Sequence, residues 1–156
     1  MSICISEFLL TNPGSFIDGV EIVGTDISPS MLKKAEEGCF DGVEMGRGMY
    51  EERKRMFFDL KDSGKFSVKE KEKSRVTFRS LNLLSSFVLL GKFDIIFCRN
   101  VLIYFSPEVK MDIVGRMATN LHPSGYLVLG ASENIGENTR HYQMVNCKPG
   151  IVYQKK

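Results

Sequence analysis

The segment Phe93 to Phe105, FDIIFCRNVLIYF, constrains this chain more than any other. One apolar run, FDIIFC, stops at Arg99-Asn100, and a second, VLIYF, starts at once. A buried strand that delivers a cation and an amide at its carboxyl end predicts an open α/β sheet, because ligands of such sheets bind outside the carboxyl ends of the strands. Arg99 offers a planar fork suited to a carboxylate, and Asn100 offers both a donor and an acceptor. The same residue types also begin ordinary strand-to-helix corners.

At 156 residues the chain is read as one domain with room for a core. A net charge of +2 is too small to imply nucleic acid. No apolar stretch reaches the length of a membrane span, and MSICISEFLL, with Glu7 and no basic start, does not read as a signal peptide. Cys4, Cys39, Cys98 and Cys147 are scattered without a CxxC pair, which argues against zinc and against a disulfide framework. Reduced thiols in the cytoplasm are the simplest account. His122 and His141 lie far from metal-ligand spacing, so no metal is expected.

Local signals set the elements. Ile3 to Leu10 reads as the end of a helix broken by Asn12-Pro13-Gly14. VEIVG, Val20 to Gly24, is a short strand leading to Asp26. Ser28 then caps a helix with Pro29 in its first position, and Gly38 stops it. Gly42, Gly46 and Gly48 suggest an irregular stretch, followed by a helix from Glu51 to Phe58 anchored on Met56, Phe57 and Phe58. Leu60 to Glu72 reads as an exposed hairpin around Ser63-Gly64. Glu51 to Arg75 holds nine basic and six acidic residues, either a solvated face or a basic docking surface. Val76 to Leu84 reads as a strand followed by a turn, and Phe93 to Cys98 as the next strand. Ser106-Pro107-Glu108 opens a helix to about Leu121, with Met111, Val114, Met117, Ala118 and Leu121 on its apolar side. Pro123-Ser124-Gly125 turns the chain into a strand from Tyr126 to Ala131. Tyr142 to Asn146 and Gly150 to Gln154, separated by Lys148-Pro149, suit an antiparallel pair at a sheet edge.

Polar positions end these runs at Asp26, Asn82, Arg99-Asn100 and Ser132-Glu133. Parallel strands would bring them to one rim. A carboxylate after the second strand suits two ribose hydroxyls, and Asn82 could read an adenine edge with Leu83 packed on the ring. Singly, Asp26 also fits a plain loop aspartate and Asn82 a turn former. Together they favour a nucleoside cofactor.

FDIIFCRNVLIYF with its proline-containing helix start, LHPSGYLVLGASE, VGTDISPSMLKKAEEG and RSLNLL together resemble the CheR-type chemotaxis protein methyltransferases, over about Ile3 to Gln154. The resemblance implies a Rossmann-like class I methyltransferase fold with a small antiparallel β-subdomain inserted at about 60–77. It implies S-adenosylmethionine as cofactor, S-adenosylhomocysteine as product, and glutamate side chains of cytoplasmic chemoreceptor domains as substrate. Asp26 would hold the ribose hydroxyls, and Asn82 and Leu83 would contact adenine. Arg99 and Asn100 would line the methionine end, and Tyr104 would sit near the transferred methyl group; a core aromatic on a helix shoulder is the other reading of Tyr104. Tyr104 and Arg99 are the expected catalytic residues, in shaping rather than proton-transfer roles. The turn Lys61 to Lys65 is short beside members that grip a receptor tail peptide.

The family's glycine-rich turn, of the GCSTGEEPYS kind, has no counterpart, and Met1-Ser2-Ile3 aligns with the helix after it. The expected sheet is therefore incomplete, its first and central strand missing between the strands ending at Asp26 and Cys98. The chain as written is expected to bind S-adenosylmethionine poorly. A noncatalytic receptor-binding module that keeps the fold and the basic hairpin is the alternative reading, and a small-molecule methyltransferase is a third.

Overall fold

The computed structural model describes residues 1–16, 19–46, 49–148 and 150–156. The readings placed on Gly48 and Pro149 lie outside the described residues. The chain is mixed α/β and divides into two compact units, Met1–Leu81 and Asn82–Lys156, where the sequence reading has one domain.

In the first unit, α1 spans Ser2–Thr11 and ends at Asn12. Strand β1, Ile22–Asp26, begins two residues later than VEIVG suggests. Helix α2, Pro29–Glu37, starts as its sequence dictates: the Ser28 hydroxyl accepts from the Met31 N–H, Pro29 occupies the first turn, and Gly38 ends it at φ 59°. A two-residue strand β2, Cys39–Phe40, leads into the short helix α3, Gly42–Met45. Gly42–Met45 is helical rather than irregular. Asp41 and Glu44 form a reciprocal capping box, each side chain bonding the other's backbone N–H. Helix α4 runs Glu51–Phe57, and Phe58 starts β3, Phe58–Leu60. The turn Lys61–Lys65 leads to β4, Phe66–Val68, with the Gly64 N–H on the Lys61 carbonyl at 2.8 Å. The short helix α5, Glu70–Lys73, precedes β5, Val76–Ser80.

Strands β2, β4 and β3 form an antiparallel sheet in that order. It therefore draws on residues 39–40, 58–60 and 66–68 rather than on 60–77. Residues 70–73 are helical, and Val76 and Thr77 belong to β5, which pairs in parallel with β1. Met45, Phe57 and Phe58 make the core beneath the small sheet, with Ile3, Phe40, Met49, Phe66 and Val68 packed on it. Met56 does not share that role; it is 41% exposed. In the parallel pair, Gly24 faces Phe78, and a Cβ on Gly24 would fall 2.7 Å from the ring. Helix α1 is tied to this unit by polar contacts. Ser2 and Ser6 donate to the carbonyl and carboxylate of buried Glu72, and Arg53 grips Glu7 through both oxygens at 2.6 and 2.5 Å.

In the second unit, β6 is Phe93–Cys98, α6 is Pro107–Thr119, β7 is Leu121–Leu129, β8 is Tyr142–Cys147 and β9 is Gly150–Lys155. The sheet order is β6-β7-β9-β8, with β6 and β7 parallel and the β8–β9 pair antiparallel at the edge. Helix α6 stops before Leu121 because Asn120 turns its amide onto the Phe87 and Gly91 carbonyls at 3.0 and 2.7 Å. Pro123-Ser124-Gly125 does not end one element and start another. It forms an irregularity inside β7, where the register passes from Phe93↔Leu121 to Ile95↔Tyr126. Ile113, Val114, Met117 and Ala118 of α6 bury against one face of the sheet with Leu127, Tyr142 and Tyr153. Met111 stands at the margin of this face.

The run FDIIFC is not buried throughout. Cys98 is buried, but Ile95 and Phe97 are 49% and 51% exposed. Side chains alternate along a strand, so α6 covers the face of Ile96 and Cys98 and leaves that of Ile95 and Phe97 open.

Candidate functional site

The carboxyl end of β6 carries the corner that the sequence singles out. Arg99 and Asn100 leave the strand exposed, and the short 3-10 turn Leu102–Tyr104 follows. Leu102, 1% exposed, anchors that turn in the core, while Tyr104 is 81% exposed. Asn100 adopts φ 59° and Val101 a right-handed helical conformation. Asparagine is among the few residues that tolerate the left-handed region. Successive left- and right-handed residues curl their N–H groups toward one point, an anion-binding nest.

That nest is filled from within the chain. Glu133, four residues past the end of β7, accepts from the N–H groups of Asn100 at 2.8 Å, Val101 at 3.0 Å, Leu102 at 2.8 Å and Gly130 at 2.7 Å. Burial pushes the Glu133 carboxyl up, but the N–H bonds outweigh it and hold the group below the usual carboxylate value. Gly130 is required by the same contact. A Cβ there would lie 2.5 Å from Glu133 Oε2 and 2.9 Å from Asn100 Oδ1.

The segment after β5 carries Asn82 and Leu83. Asn82 Oδ1 accepts from the Leu84 N–H at 2.9 Å, and Ser85 N–H closes a turn on the Asn82 carbonyl. Asn82 is exposed, and among the described residues its amide nitrogen makes no hydrogen bond. Arg116 of α6 secures the segment by donating to the Leu83 carbonyl at 2.7 Å and the Ser85 carbonyl at 2.6 Å, with its guanidinium 4.8 Å from the centre of the Phe87 ring. Asp112 orients Arg116 from one turn earlier.

Asp26 ends β1 in the Met1–Leu81 unit, opposite Ser80 in the ladder. Its Oδ1 accepts from the Ser28 N–H at 2.8 Å, which fixes the carboxylate at the start of the α2 turn with its remaining lone pairs exposed. Six residues named from the sequence thus occupy three places: Asp26 at the end of β1, Asn82 and Leu83 after β5, and Arg99, Asn100 and Tyr104 after β6. Among the described residues, the side chains of Arg99 and Tyr104 make no hydrogen bond.

Two clefts do not coincide with them. One of about 220 Å³ lies between the start of α6 and the loop Ser132–Glu137. Another of about 660 Å³ in the first unit is lined by Ser2, Gly38, Phe40, Val68 and Phe78 among others. Glu133 and Arg116 organise the site, and no sequence motif marks either as an organiser. The signal for Glu133 was its place just past an apolar strand; Arg116 carried none beyond its position on the polar side of α6.

Comparison with known proteins agrees with these motifs. Residues 1–151 match the CheR methyltransferase, SAM binding domain family. Chemotaxis protein methyltransferase 1 of Pseudomonas aeruginosa is 54% identical over the whole chain, and chemotaxis protein methyltransferase 1 of Vibrio cholerae is 48% identical. The chain spans 57% and 56% of the length of these two curated relatives. Among solved structures, PKMT2 from Rickettsia typhi aligns with 69% of this chain and 15% of its own at 19% identity and a TM-score of 0.41, too slight a likeness to add to this. On the family match and the identity of its relatives, the chain belongs to the CheR methyltransferase, SAM binding domain family.

Proposed function

We propose that the chain forms the adenosyl-binding part of a cytoplasmic S-adenosylmethionine-dependent protein-glutamate O-methyltransferase that acts on chemoreceptor cytoplasmic domains. The observation that carries this reading is the fixed corner at Arg99–Tyr104, which presents a cation, an amide and a phenol from a strand's carboxyl end.

The donor set fits the cofactor. Asp26 keeps acceptor capacity for a vicinal diol, since only Oδ1 is engaged by Ser28. Asn82 presents its amide donor to an adenine ring nitrogen while half-buried Leu83 offers an apolar surface to the ring. Arg99 suits the carboxylate of an amino-acid tail, and Asn100 can bond either end of it. When bound, S-adenosylmethionine supplies an activated methyl group on a sulfonium sulfur.

The residues' share of the work is placement. A glutamate carboxylate is already ionised near neutral pH, so no general base is needed. Tyr104 shapes the approach of that carboxylate and helps keep water from it. Alignment of this kind contributes up to roughly 7–11 kcal/mol in the best cases. The lysines around the β3–β4 hairpin, Lys61, Lys65, Lys69 and Lys71, give the surface a charge suited to acidic receptor helices.

Radiolabelled methyl transfer to a chemoreceptor cytoplasmic fragment, by the protein carrying this chain together with a glycine-rich cofactor turn, tests the reading. The expected label sits in carboxyl esters that mild alkali releases, and Arg99→Ala lowers it tenfold or more. Alkali-stable label, or none, contradicts the proposal.

A further inference from the structure

We propose that Glu133 is a positioning residue whose carboxylate, seated in the backbone nest of Asn100–Leu102, sets the corner that presents Arg99, Asn100 and Tyr104 to the cofactor. The inference rests on the function proposed above for those residues; the holding of the corner does not.

Three features single out Glu133. Its two oxygens divide the work: Oε2 takes the N–H groups of Asn100 and Gly130, and Oε1 takes those of Val101 and Leu102. Both parallel strands are thereby fastened just past their carboxyl ends, since Cys98 and Leu129 are the last pair of the β6–β7 ladder. The bonds go to the N–H groups of a left-handed residue and its two successors, the nest conformation that gathers backbone donors around an anion. Finally, the contact is sterically exclusive. Gly130 leaves room for Oε2 where any side chain would collide with it.

The alternative use of such a nest is an external anion. Here the anion is part of the chain, and it carries charge at neutral pH because the N–H bonds favour the ionised form. Glutamine has the same length but offers one acceptor oxygen and an NH₂ group. Whichever way it turns, one pair of backbone donors then faces a donor. Glu133→Gln therefore keeps the packing of the loop while releasing half its bonds. Gly130→Ala displaces the carboxylate by a different route and leaves its charge intact.

Amide hydrogen exchange and cofactor binding test this together. In Glu133→Gln one pair of amides, either Val101 and Leu102 or Asn100 and Gly130, and in Gly130→Ala those of Asn100, Val101 and Leu102, should exchange at least tenfold faster, while those of Val145 and Val152 in the β8–β9 pair keep their rates. Binding of S-adenosylhomocysteine should weaken tenfold or more. Arg99→Ala should then cost less than twofold in the Glu133→Gln background, against a clearly larger factor in the native one, because residues acting through one corner are not additive. Unchanged exchange at both donor pairs in Glu133→Gln overturns the holding role. An Arg99→Ala factor that is the same in both backgrounds overturns the link to the cofactor. If the native chain shows no binding of S-adenosylhomocysteine at all, the functional reading and the cofactor link fall together, and the exchange arm still decides whether Glu133 holds the corner.

Discussion

Cys98 sits at the last position of β6, immediately before Arg99, and its environment reports on the corner. Burial pushes its thiol up to about 11, and the nearby Glu133 charge adds to the shift. The thiolate is the nucleophile, so Cys98 should be inert near pH 8. Cys4 and Cys147 are exposed. Alkylation with iodoacetamide followed by mass spectrometry should therefore modify both at least tenfold faster than Cys98; equal rates would mean that the corner is open. At this scale the sequence was informative about which side chains stand at strand ends. Asp26, Asn82, Arg99 and Asn100 were all placed by an apolar run stopping at a polar residue. It was silent about what holds them. The partners of Glu133 are backbone N–H groups, which every residue carries, so no side-chain pattern marks them.

Helix starts were the most legible elements. Ser28-Pro29 and Ser106-Pro107 both cap as their sequences require, each hydroxyl accepting from an N–H three residues on. The Asp41-x-x-Glu44 box was equally present in the sequence, but Gly42 and Gly46 masked it and suggested a loop. The bulge within β7 was not legible, because Pro123-Ser124-Gly125 has the composition of a turn and only the ladder to β6 shows otherwise. Helix α6 does more than cover the sheet. Through Arg116 it holds the segment that carries Asn82 and Leu83. Arg116→Ala should lower stability by about 1–3 kcal/mol, from charge-assisted bonds to two carbonyls and the loss of the contact with Phe87. Arg116→Lys should recover little of it, since one ammonium cannot reproduce the fork. Urea unfolding midpoints check this; a neutral Arg116→Ala would mean that the segment is held by other contacts.

At the scale of the molecule, parallel pairing was readable as a class but not as a register. Alternation and length identify strands, while partners separated by dozens of residues leave no local trace. The mixed α/β character followed from the order of runs and caps, and the family from motifs spread over nearly the whole chain. A global property follows from the charges. Glu7, Glu44, Glu51, Glu108 and Glu133 are all held below the ordinary value of 4.5, by Arg53, Lys34, Lys54, the local helix-start bonds and the N–H nest respectively. A carboxyl lowered in the folded state stabilises it fully above its unfolded value and ceases to do so as pH falls through the folded value. The melting temperature should therefore change little from pH 8 to 6 and fall progressively below about 4.5. A melting temperature that rises on acidification in that window would contradict these assignments. Among the described residues no helix is long and apolar enough to cross a membrane.

The function proposed for the second unit has Asn82, Leu83, Arg99, Asn100 and Tyr104 serving one adenosyl ligand. Titration of the ¹⁵N-labelled chain with S-adenosylhomocysteine, followed by backbone and side-chain NMR shifts, tests it most directly and tolerates weak binding. Signals of both places in the second unit, after β5 and after β6, should move together along one binding curve. Shifts confined to one of them, curves with different affinities, or no shift at millimolar ligand would contradict it.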